Sequence, residues 1–423
     1  MRILRALALL LTVIFVSCGD GKTAQIWTDR PEFALYGEYF NTVQNQYKVS
    51  VRYVEFPAAE LGKRNVPDIV AASWLKNAST GSNFRTLDNL FGANKLSRSN
   101  FYPRLLAIGR IDRSQYLLPV SFNIPALIFS RDREQSLSNQ FTIDFDEIKR
   151  LSHTYNTLTR GVYTRMGFSP LWDDNFLLAT AILSGASFRE ASHSLSRETS
   201  RVPVRHPLAW DAAALERSMI FINNWTNEIN TSAQAEDEFT FKYFFEPPEK
   251  LIQSGRILFS YIESSDLFLL SDESKNILDF RWVMEQNRIP VTEDSVYLGI
   301  PKRAKSLKAA RAFIQWFFRI ENQRRLLEYS RSNRINENIF GICGGFSALS
   351  PVTEQVYPLF YPELLGRMPP SEYFTHPNVL PANWLILKER VVIPYLHDRA
   401  RKENADDAYP LERRLADWMR LNR

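Results

Sequence analysis

The first part of the chain alternates short apolar runs with one amphipathic segment. Residues 25–27, 49–56 and 67–72 are rich in β-branched, aromatic or small apolar side chains, which is typical of buried strands. A strand, a helix and two further strands in this order predict an α/β unit built on a parallel sheet. The helix is predicted between the first two runs, where apolar residues recur at helical spacing: Tyr36, Tyr39, Phe40, Val43 and Tyr47.

Residues 116–132, YLLPVSFNIPALIFSRD, form a longer apolar run that Pro119 and Pro125 interrupt. Proline removes a backbone donor, so this run is not one ordinary central strand. It predicts a strand that ends near Phe122, a bend through residues 123–125, and a second strand after the bend. Such a break is typical of a chain that crosses from one lobe to another, and a length of 423 residues also favours two lobes.

The second half of the chain continues the alternation. Residues 254–265, SGRILFSYIESS, predict a helix end at glycine, a buried strand and polar groups where the strand ends. Residues 296–302 predict another short strand. Residues 305–329 predict one long helix with an apolar face, and residues 406–421 predict a terminal amphipathic helix.

Five stretches occur in an order that resembles the family 1 extracellular solute-binding proteins, the maltose-binding-protein-like group. They are IWTDRPEF, VPDIVAAS, LLPVSFNIPALIFSRD, SGRILFSYIES and YLGIPKRAKSLKAARAFIQWFFRIENQRRLLE, and the resemblance spans nearly all of residues 24–423. The resemblance implies an α/β, two-lobed periplasmic binding protein fold of type II, with discontinuous lobes joined by hinge strands. It also implies a protein that closes around a solute, which we expect to be a carbohydrate, and delivers it to the permease subunits of an ABC transporter.

The resemblance further implies how the chain is divided between the lobes. The first lobe is expected to comprise residues 24–122 and 295–334, and the second lobe residues 126–294 and 335–423. The hinge crossing is expected in residues 116–132. Ahead of the lobes we expect a signal peptide in residues 1–17 and a lipidated tether in residues 18–23.

The N-terminus has the pattern of a bacterial lipoprotein signal. Two arginines precede an apolar run, residues 6–16, which is too short to span a membrane comfortably as a helix. Ser17 and Cys18 follow directly and resemble a lipobox, with Phe15 in place of the usual leucine. We therefore expect acylation of Cys18 and a lipid anchor that holds the protein on the periplasmic or extracytoplasmic face of the cell membrane. The alternative is an ordinary signal peptide with an incidental cysteine.

Charge and motifs argue against several other classes of protein. The formal net charge is +5, without a dense block of Lys and Arg, which argues against a nucleic-acid partner. The sequence has no G-x-S-x-G, H-E-x-x-H, P-loop or G-x-G-x-x-G motif, and its five histidines lack metal-ligand spacing. We therefore expect a monomeric binding protein that is not an enzyme, with no catalytic residues, no metal and no cofactor.

Candidate ligand contacts in the first lobe lie where predicted strands end, because ligands of such sheets bind beyond the carboxyl ends of the strands. Trp27, Asp29 and Arg30 stand at the end of the first strand, and Trp74 follows the third. Asn123 lies in the bend between the lobes. The alternatives are a helix-capping aspartate beside a solvated arginine, and a tryptophan of the core.

In the second lobe, Trp172 and Asp173 combine an aromatic face with a hydrogen-bond acceptor, the pairing that sugar recognition needs. The alternative is a helix cap with a packed tryptophan. Tyr261 and Glu263 lie where the strand of residues 254–265 ends, the place from which the family presents an aromatic contact. The family usually has a tryptophan close by, and Tyr261 stands there in this chain.

Two rival functions remain open at this stage. A glycan-processing lipoprotein enzyme would use Asp173, Asp174 or Glu263, and turnover of an oligosaccharide would identify it. A surface lipoprotein of the same fold that binds a non-sugar ligand would gain no thermal protection from small sugars.

Cys18→Ala tests the anchor. We expect the variant to be unprocessed or soluble and to incorporate no radioactive palmitate, because the acylated side chain is gone and stable attachment needs its acyl chains. Membrane fractionation and palmitate labelling provide the measurement. Unchanged partition and labelling would contradict the lipobox prediction.

Overall fold

The computed structural model describes residues 21–61, 66–191, 207–402 and 408–422. The predicted signal peptide and Cys18 lie outside the described residues. In the described part of the chain, no helix combines the length and the apolar character that crossing a membrane would need.

Two sheets form the centres of two lobes. Their strands in chain order are β1 (Thr23–Thr28), β2 (Lys48–Tyr53), β3 (Ile69–Ala72), β4 (Leu117–Phe122), β5 (Pro125–Ser130), β6 (Thr142–Ile143), β7 (Ser260–Glu263), β8 (Leu278–Val283), β9 (Val296–Gly299) and β10 (Phe346–Ser347). The first sheet has the order β10-β4-β9-β3-β1-β2, and the second has the order β7-β5-β8-β6. β1 runs parallel to β2 and β3, as the sequence predicts, whereas β9 and β10 run antiparallel to β4.

Helices and short strand pairs surround the sheets. The longer helices are α1 (Glu32–Val43), α2 (Phe145–Tyr155), α3 (Asp174–Leu183), α4 (Ala212–Asn224), α5 (Ala233–Tyr243), α6 (Leu307–Phe317), α7 (Ile320–Ser332), α8 (Ile393–Arg401) and α9 (Leu411–Leu421). Shorter helices are Pro57–Glu60, Thr80–Asn83, Pro103–Ile108, Pro248–Gln253, Ser264–Leu267, Asp272–Ile277 and Trp384–Leu387. Short paired strands are Arg110–Ile111 with Ser114–Gln115, Thr157–Thr159 with Val162–Arg165, Arg189–Glu190 with Leu208–Ala209, and Ile289–Pro290 with Phe374–Thr375.

The prediction of one helix over residues 305–329 is wrong, because the chain straightens between α6 and α7. Arg319 is extended, with φ −89° and ψ 132°, which ends the helical path. The neighbouring Phe318 is buried, and its ring lies 5.3 Å from the ring of Phe101. The break therefore places an additional aromatic side chain in the core of the first lobe.

The aromatic face of α1 packs onto the first sheet and onto α6. Phe33 stacks on Phe317, with ring centroids 5.7 Å apart. Gly37 lies on the face of α1 that meets β2, where an added Cβ would be 3.0 Å from Cγ2 of Val51. Glycine at this position therefore allows α1 to lie close to β2.

The chain first crosses between the lobes where β4 gives way to β5, so the bend lies at residues 123–124, within the predicted segment. Pro119 lies inside β4, opposite Tyr297 of β9. The register of this pair shifts between Val296 and Tyr297. Such an irregularity accommodates the missing proline N–H, which explains how a buried strand tolerates it.

The chain returns to the second lobe later than expected. We predict that return at residue 335, but β10 still belongs to the first sheet, with Phe346 paired to Phe122 and Ser347 paired to Ser121. The physical reason is that β4 would otherwise be an open edge of the sheet, and β10 covers it. The return therefore follows residue 347.

Residues 340–361 join the two lobes through a shared hydrophobic core. Phe340 stacks on Phe268 of the second lobe at 4.7 Å, and Phe346 lies 6.1 Å from Trp282 of β8. The indole N–H of Trp282 donates to the carbonyl oxygen of Arg367 at 2.7 Å. The core of these residues, which we call the back of the molecule, is thus packed continuously from one sheet to the other.

Asn123 forms hydrogen bonds from the first crossing to three other segments of the chain. Its side-chain oxygen accepts a hydrogen bond from Ser264 Oγ at 2.7 Å, and its amide nitrogen donates to the carbonyl oxygen of Gly344 at 3.0 Å. Its own carbonyl oxygen accepts from the backbone N–H of Thr292, which lies on the second crossing, the segment that leads from β8 of the second sheet to β9 of the first. Asn123 is only 7% exposed. The side chain that we predicted as a ligand contact is therefore engaged in holding the two crossings together.

Asn123→Ala tests this role. We expect the free energy of unfolding to fall by about 1–3 kcal/mol, because the buried Ser264 hydroxyl and Gly344 carbonyl lose their partner. Urea unfolding followed by tryptophan fluorescence measures the change. Asn333→Ala is the control, since the exposed Asn333 side chain bonds only within its own helix turn and should change stability by less than about 0.5 kcal/mol. Equal losses in the two variants would contradict the assigned role.

Candidate functional site

The first-lobe side of the cleft is built where β1 and β3 end. Asp29 and Arg30 follow β1, and Ser73 follows β3, so the parallel strands deliver all three to one edge of the sheet. The Ser73 N–H donates to Asp29 Oδ2 at 3.2 Å, and Arg30 Nη2 donates to Ser73 Oγ at 2.7 Å. The predicted pair of residues is therefore held in place by a third polar residue from the neighbouring strand.

The second crossing supplies two consecutive carboxylates, each paired with a base from a different lobe. Asp294 Oδ2 lies 3.3 Å from Arg30 Nη2 of the first lobe. Glu293 Oε1 lies 2.5 Å from Lys388 Nζ of the second lobe, and Lys388 also donates to Asn175 Oδ1 at 3.3 Å. The floor of the cleft is therefore an ion-pair chain that runs from one lobe to the other.

The second-lobe side contributes Asp173, Tyr261 and Glu263. Asp173 is the N-cap of α3 and accepts from the backbone N–H groups of Asn175 and Phe176 at 2.8 and 3.1 Å. Tyr261 and Glu263 lie in β7, as the sequence places them. With the residues of the other two sides they form what we call the cleft network: Asp29, Arg30, Ser73, Asp173, Asn175, Tyr261, Glu263, Glu293, Asp294 and Lys388.

Burial makes several carboxyl groups of the cleft network weak acids. It raises the pKa of Asp29 to about 6, although the neighbouring Arg30 acts in the opposite direction. Burial also raises the pKa of Glu263 well above its ordinary value, and the carboxylates of Asp294 and Glu293 add to this more strongly than Lys388 opposes it. Asp29 and Glu263 therefore hold a proton at higher pH than an exposed carboxyl group does.

The cavities at this interface are small. One of about 40 Å³ lies between Trp74, Glu293 and Asn378, and one of about 20 Å³ lies beside Tyr261 and Glu263. Each has room for about a water molecule or two rather than a sugar ring. The structure therefore shows the two lobes in close apposition, and a larger ligand requires them to separate.

Direct contacts between the lobes close the rim of the cleft near Trp74. The backbone N–H of Ala78 in the first lobe donates to Glu190 Oε2 of the second at 2.9 Å. Within the second lobe, the N–H of Glu190 donates to the carbonyl oxygen of Val379 and Asn378 Nδ2 donates to the carbonyl oxygen of Phe188, which holds the Glu190 segment in place. Trp74 packs against the core of the second lobe, and its indole nitrogen is buried without a hydrogen-bond partner.

Two of the predicted tryptophans lie in packed aromatic surroundings. Trp172 stacks on Phe239, with ring centroids 5.8 Å apart, and lies 4.7 Å from the ring of Phe244. Trp27 is only 4% exposed, and its indole N–H donates to Gln25 within β1. The structure does not bring Trp27 into the cleft network. For Asp173 and Trp172 it shows the cap and the packed ring of the alternative interpretation, and their contact with a ligand stays a prediction.

Sequence reasoning missed the ion-pair chain of the floor. Glu293 and Asp294 stand immediately before the apolar run that became β9, and two acidic residues at the start of a buried strand are a usable signal. Lys388 carries no such signal, because it lies in a helical segment among other charged residues. Within the described ranges, no group of three or more His, Cys, Asp or Glu side chains is arranged to hold a metal ion.

No family model and no curated protein sequence matches the chain. Solved structures do match it in fold. A cyclic α-maltosyl-1,6-maltose binding protein from Arthrobacter globiformis superposes with a TM-score of 0.58 at 13% identity, over 93% of this chain and 96% of that chain. An ABC substrate-binding protein from Listeria monocytogenes in complex with cycloalternan gives 0.57 at 14%, over 93% and 96%. The GacH receptor of Streptomyces glaucescens, solved unliganded and with acarbose, gives 0.54 at 14%, over 94% and 97%.

These matches cover nearly the whole of both chains, so they confirm the predicted two-lobed α/β fold of the solute-binding proteins. At 12–14% identity they establish the architecture alone.

Asp29→Asn tests the electrostatics of the first-lobe side. A carboxyl group whose pKa is raised in the folded state stabilises the fold below its unfolded pKa of about 4 and loses that contribution as the pH rises through about 6. We therefore expect the stability of the variant relative to the parent to increase by up to about 3 kcal/mol between pH 4 and pH 7.

Urea unfolding at several pH values provides this measurement. Asp272→Asn, at an exposed aspartate of the second lobe, is the control and should show no such trend. A difference between Asp29→Asn and the parent that does not change with pH would contradict the raised pKa.

Proposed function

We propose that this chain is an extracytoplasmic solute-binding protein that captures a carbohydrate between its lobes and delivers it to an ABC importer. The observation that carries the proposal is the cleft network, in which acceptors and donors from both lobes and from the second crossing converge on one interface. The fold supports the proposal, because the matched structures described above include proteins solved with cycloalternan or acarbose and a cyclic α-maltosyl-1,6-maltose binding protein.

The chemistry of the cleft network suits a polyhydroxylated ligand. Carboxylate oxygens accept hydroxyl hydrogens, and Arg30, Lys388 and Asn175 donate to hydroxyl or ring oxygens. Trp74 at the rim offers an indole whose N–H has no partner and whose ring could lie along the apolar face of a sugar. Together these groups supply the two kinds of contact that a pyranose needs.

Binding would be coupled to movement of the lobes. In the apposed state the ion-pair chain links Arg30 to Lys388, and only a ligand that touches both lobes can favour closure over opening. The shared core of residues 340–361 restricts that movement to opening on the cleft side. The ligand then shifts the population of closed molecules by the difference between its affinities for the two states.

The geometry favours binding over turnover. The Asp173 carboxylate accepts from two N–H groups of its own helix, which holds it as a cap, although burial raises its pKa more than these bonds lower it. A glycan-processing role for it would need an acid or base free to exchange protons with a scissile bond. We also propose that the protein is a monomer and that Cys18 tethers it to the membrane outside the cytoplasm; the resemblance of Ser17 and Cys18 to a lipobox supports the tether.

A sugar screen followed by calorimetry tests the proposal. We expect at least one sugar of a mono- and oligosaccharide panel to raise the melting temperature. We expect Lys388→Gln in the second lobe to weaken binding of that sugar by about tenfold or more, since a charge-assisted bond contributes about 1.5–3 kcal/mol. We expect Trp74→Ala in the first lobe to weaken it as well, because the ring that lies along the apolar face of the sugar is lost.

Matched controls separate binding from folding. Trp418→Ala removes a half-buried tryptophan of α9, and Lys308→Gln removes an exposed charge of α6; both should bind as the parent does. If only one of Trp74→Ala and Lys388→Gln weakens binding, capture between the lobes is contradicted. If no sugar raises the melting temperature, the carbohydrate ligand is contradicted.

A further inference from the structure

The cleft network contains more negative than positive groups. Its carboxylates are Asp29, Asp173, Glu263, Glu293 and Asp294, and its cations are Arg30 and Lys388. Further acidic groups lie near it on neighbouring elements, since Asp174 adjoins Asp173 and the Asp294 carboxylate raises the pKa of Asp266. The neighbours on the Asp173 and Asp294 sides are therefore acidic, while Lys76 lines the cavity of about 40 Å³ together with Glu293.

The two cations are already committed. Arg30 is shared between Asp294 at 3.3 Å and Asp29 at 3.6 Å. Lys388 is bound to Glu293 at 2.5 Å. Among the described residues, the Glu263 side chain has neither a hydrogen bond nor an ion pair, although it lies within electrostatic reach of Asp294 and Glu293. Lys388 also lies within electrostatic reach of Glu263, but its ion pair is with Glu293, so Glu263 has no ion pair of its own in the described part of the chain.

Tyr261 provides a second unused polar group at the same point. The side chain is 8% exposed, its ring packs on Phe176 with centroids 5.8 Å apart, and its hydroxyl makes no hydrogen bond within the described chain. Burial raises the pKa of the Tyr261 hydroxyl most, and among its charged neighbours the Glu263 carboxylate acts on it most strongly. Both residues line the cavity of about 20 Å³ with Asn175 and Glu293. The side chain as a whole is thus buried while its hydroxyl makes no bond to the described chain, so a donor or acceptor of a ligand can bind it at this point of the cleft.

We infer that the ligand is a sugar that carries an amino group and that its ammonium binds between Glu263, Tyr261 and Glu293. This inference rests on the proposed function. An ammonium supplies three N–H donors and a positive charge, which are the two things that this point lacks. A hydroxyl at the same place supplies one donor and no charge, and an N-acetylated amine supplies one N–H with a bulky acyl group.

The alternative way to neutralise Glu263 is protonation, which its burial favours in the absence of a cation. Binding of an ammonium would reverse that preference and release the proton. Release of protons on binding is therefore a signature that a neutral sugar does not share.

Calorimetry on the parent protein tests the inference. The probes are glucosamine, galactosamine and mannosamine, each compared at pH 6.5 with its N-acetyl form and its plain hexose. Each amino sugar forms a set with its N-acetyl form and its plain hexose. In the set that the protein binds best, we expect the amino sugar to bind about tenfold tighter than the two neutral sugars, because a charge-assisted hydrogen bond contributes more free energy than a neutral one by about that amount. Titration in two buffers of different ionisation enthalpy should show net proton release for the amine alone.

Three variants locate the ammonium. Glu263→Gln should remove the preference for the amine, and Tyr261→Phe should reduce it, while Glu246→Gln, at an exposed glutamate of the second lobe, should keep it. Because Glu263→Gln and Tyr261→Phe remove a single buried polar feature without changing shape, thermal melts of both variants check their folding first.

The outcomes separate this inference from the proposed function. Equal affinity for amine and neutral sugars would overturn the inference and leave carbohydrate binding standing. Amine preference that survives in Glu263→Gln would overturn the placement of the ammonium. If no sugar of any set binds, the proposed function and the inference both fail.

Discussion

The second crossing places the carboxylates of Glu293 and Asp294 between the two lobes. The positions of the other polar side chains in the cleft depend on the ion pairs that these two carboxylates form. Glu293 faces Lys388 and Asp294 faces Arg30, so adjacent residues of one chain segment are fixed to opposite sides of the molecule. Ion pairs that are partly shielded from water are costly to break by removing one partner. This arrangement holds Arg30 against Ser73 and Lys388 against Asn175, which positions donors on both walls.

The two lobes are held together by different contacts on their two sides, with apolar packing at the back and mainly polar contacts at the front. At the back, aromatic rings of residues 340–361 contact both sheets, and Asn123 joins the two crossings through hydrogen bonds that are shielded from water. At the front, the lobes touch through Trp74, which packs against the core of the second lobe, and through hydrogen bonds such as Ala78 to Glu190, which water can replace at little cost. Separation of the lobes is therefore far easier at the cleft than at the back.

Much of the architecture could be predicted from the sequence, because strands of the first lobe alternate clearly with α1 and the two prolines mark the first crossing. β8 was missed, although it is central in the second sheet, because Asp279 and Arg281 interrupt its apolar pattern. These charges are tolerated inside since Arg281 pairs with Asp279 at 2.8 Å, and Arg367 reaches Asp279 from a distant segment. Asp29, Arg30, Tyr261 and Glu263 were predicted at strand ends, whereas Lys388 could not be, because only the tertiary fold brings its helix to Glu293.

The position of β10 sets an order of events for a newly made chain. β4 has β9 on one side and β10 on the other, and these strands lie far along the sequence from it. The first sheet is therefore unfinished until residue 347 has been synthesised, with the whole of the second sheet made in between. Contacts so distant in sequence form slowly, since a long loop must close before they stabilise the fold. A nascent chain of this design stays incompletely folded for most of its synthesis, which is the condition in which a polypeptide can be threaded through a narrow translocation channel.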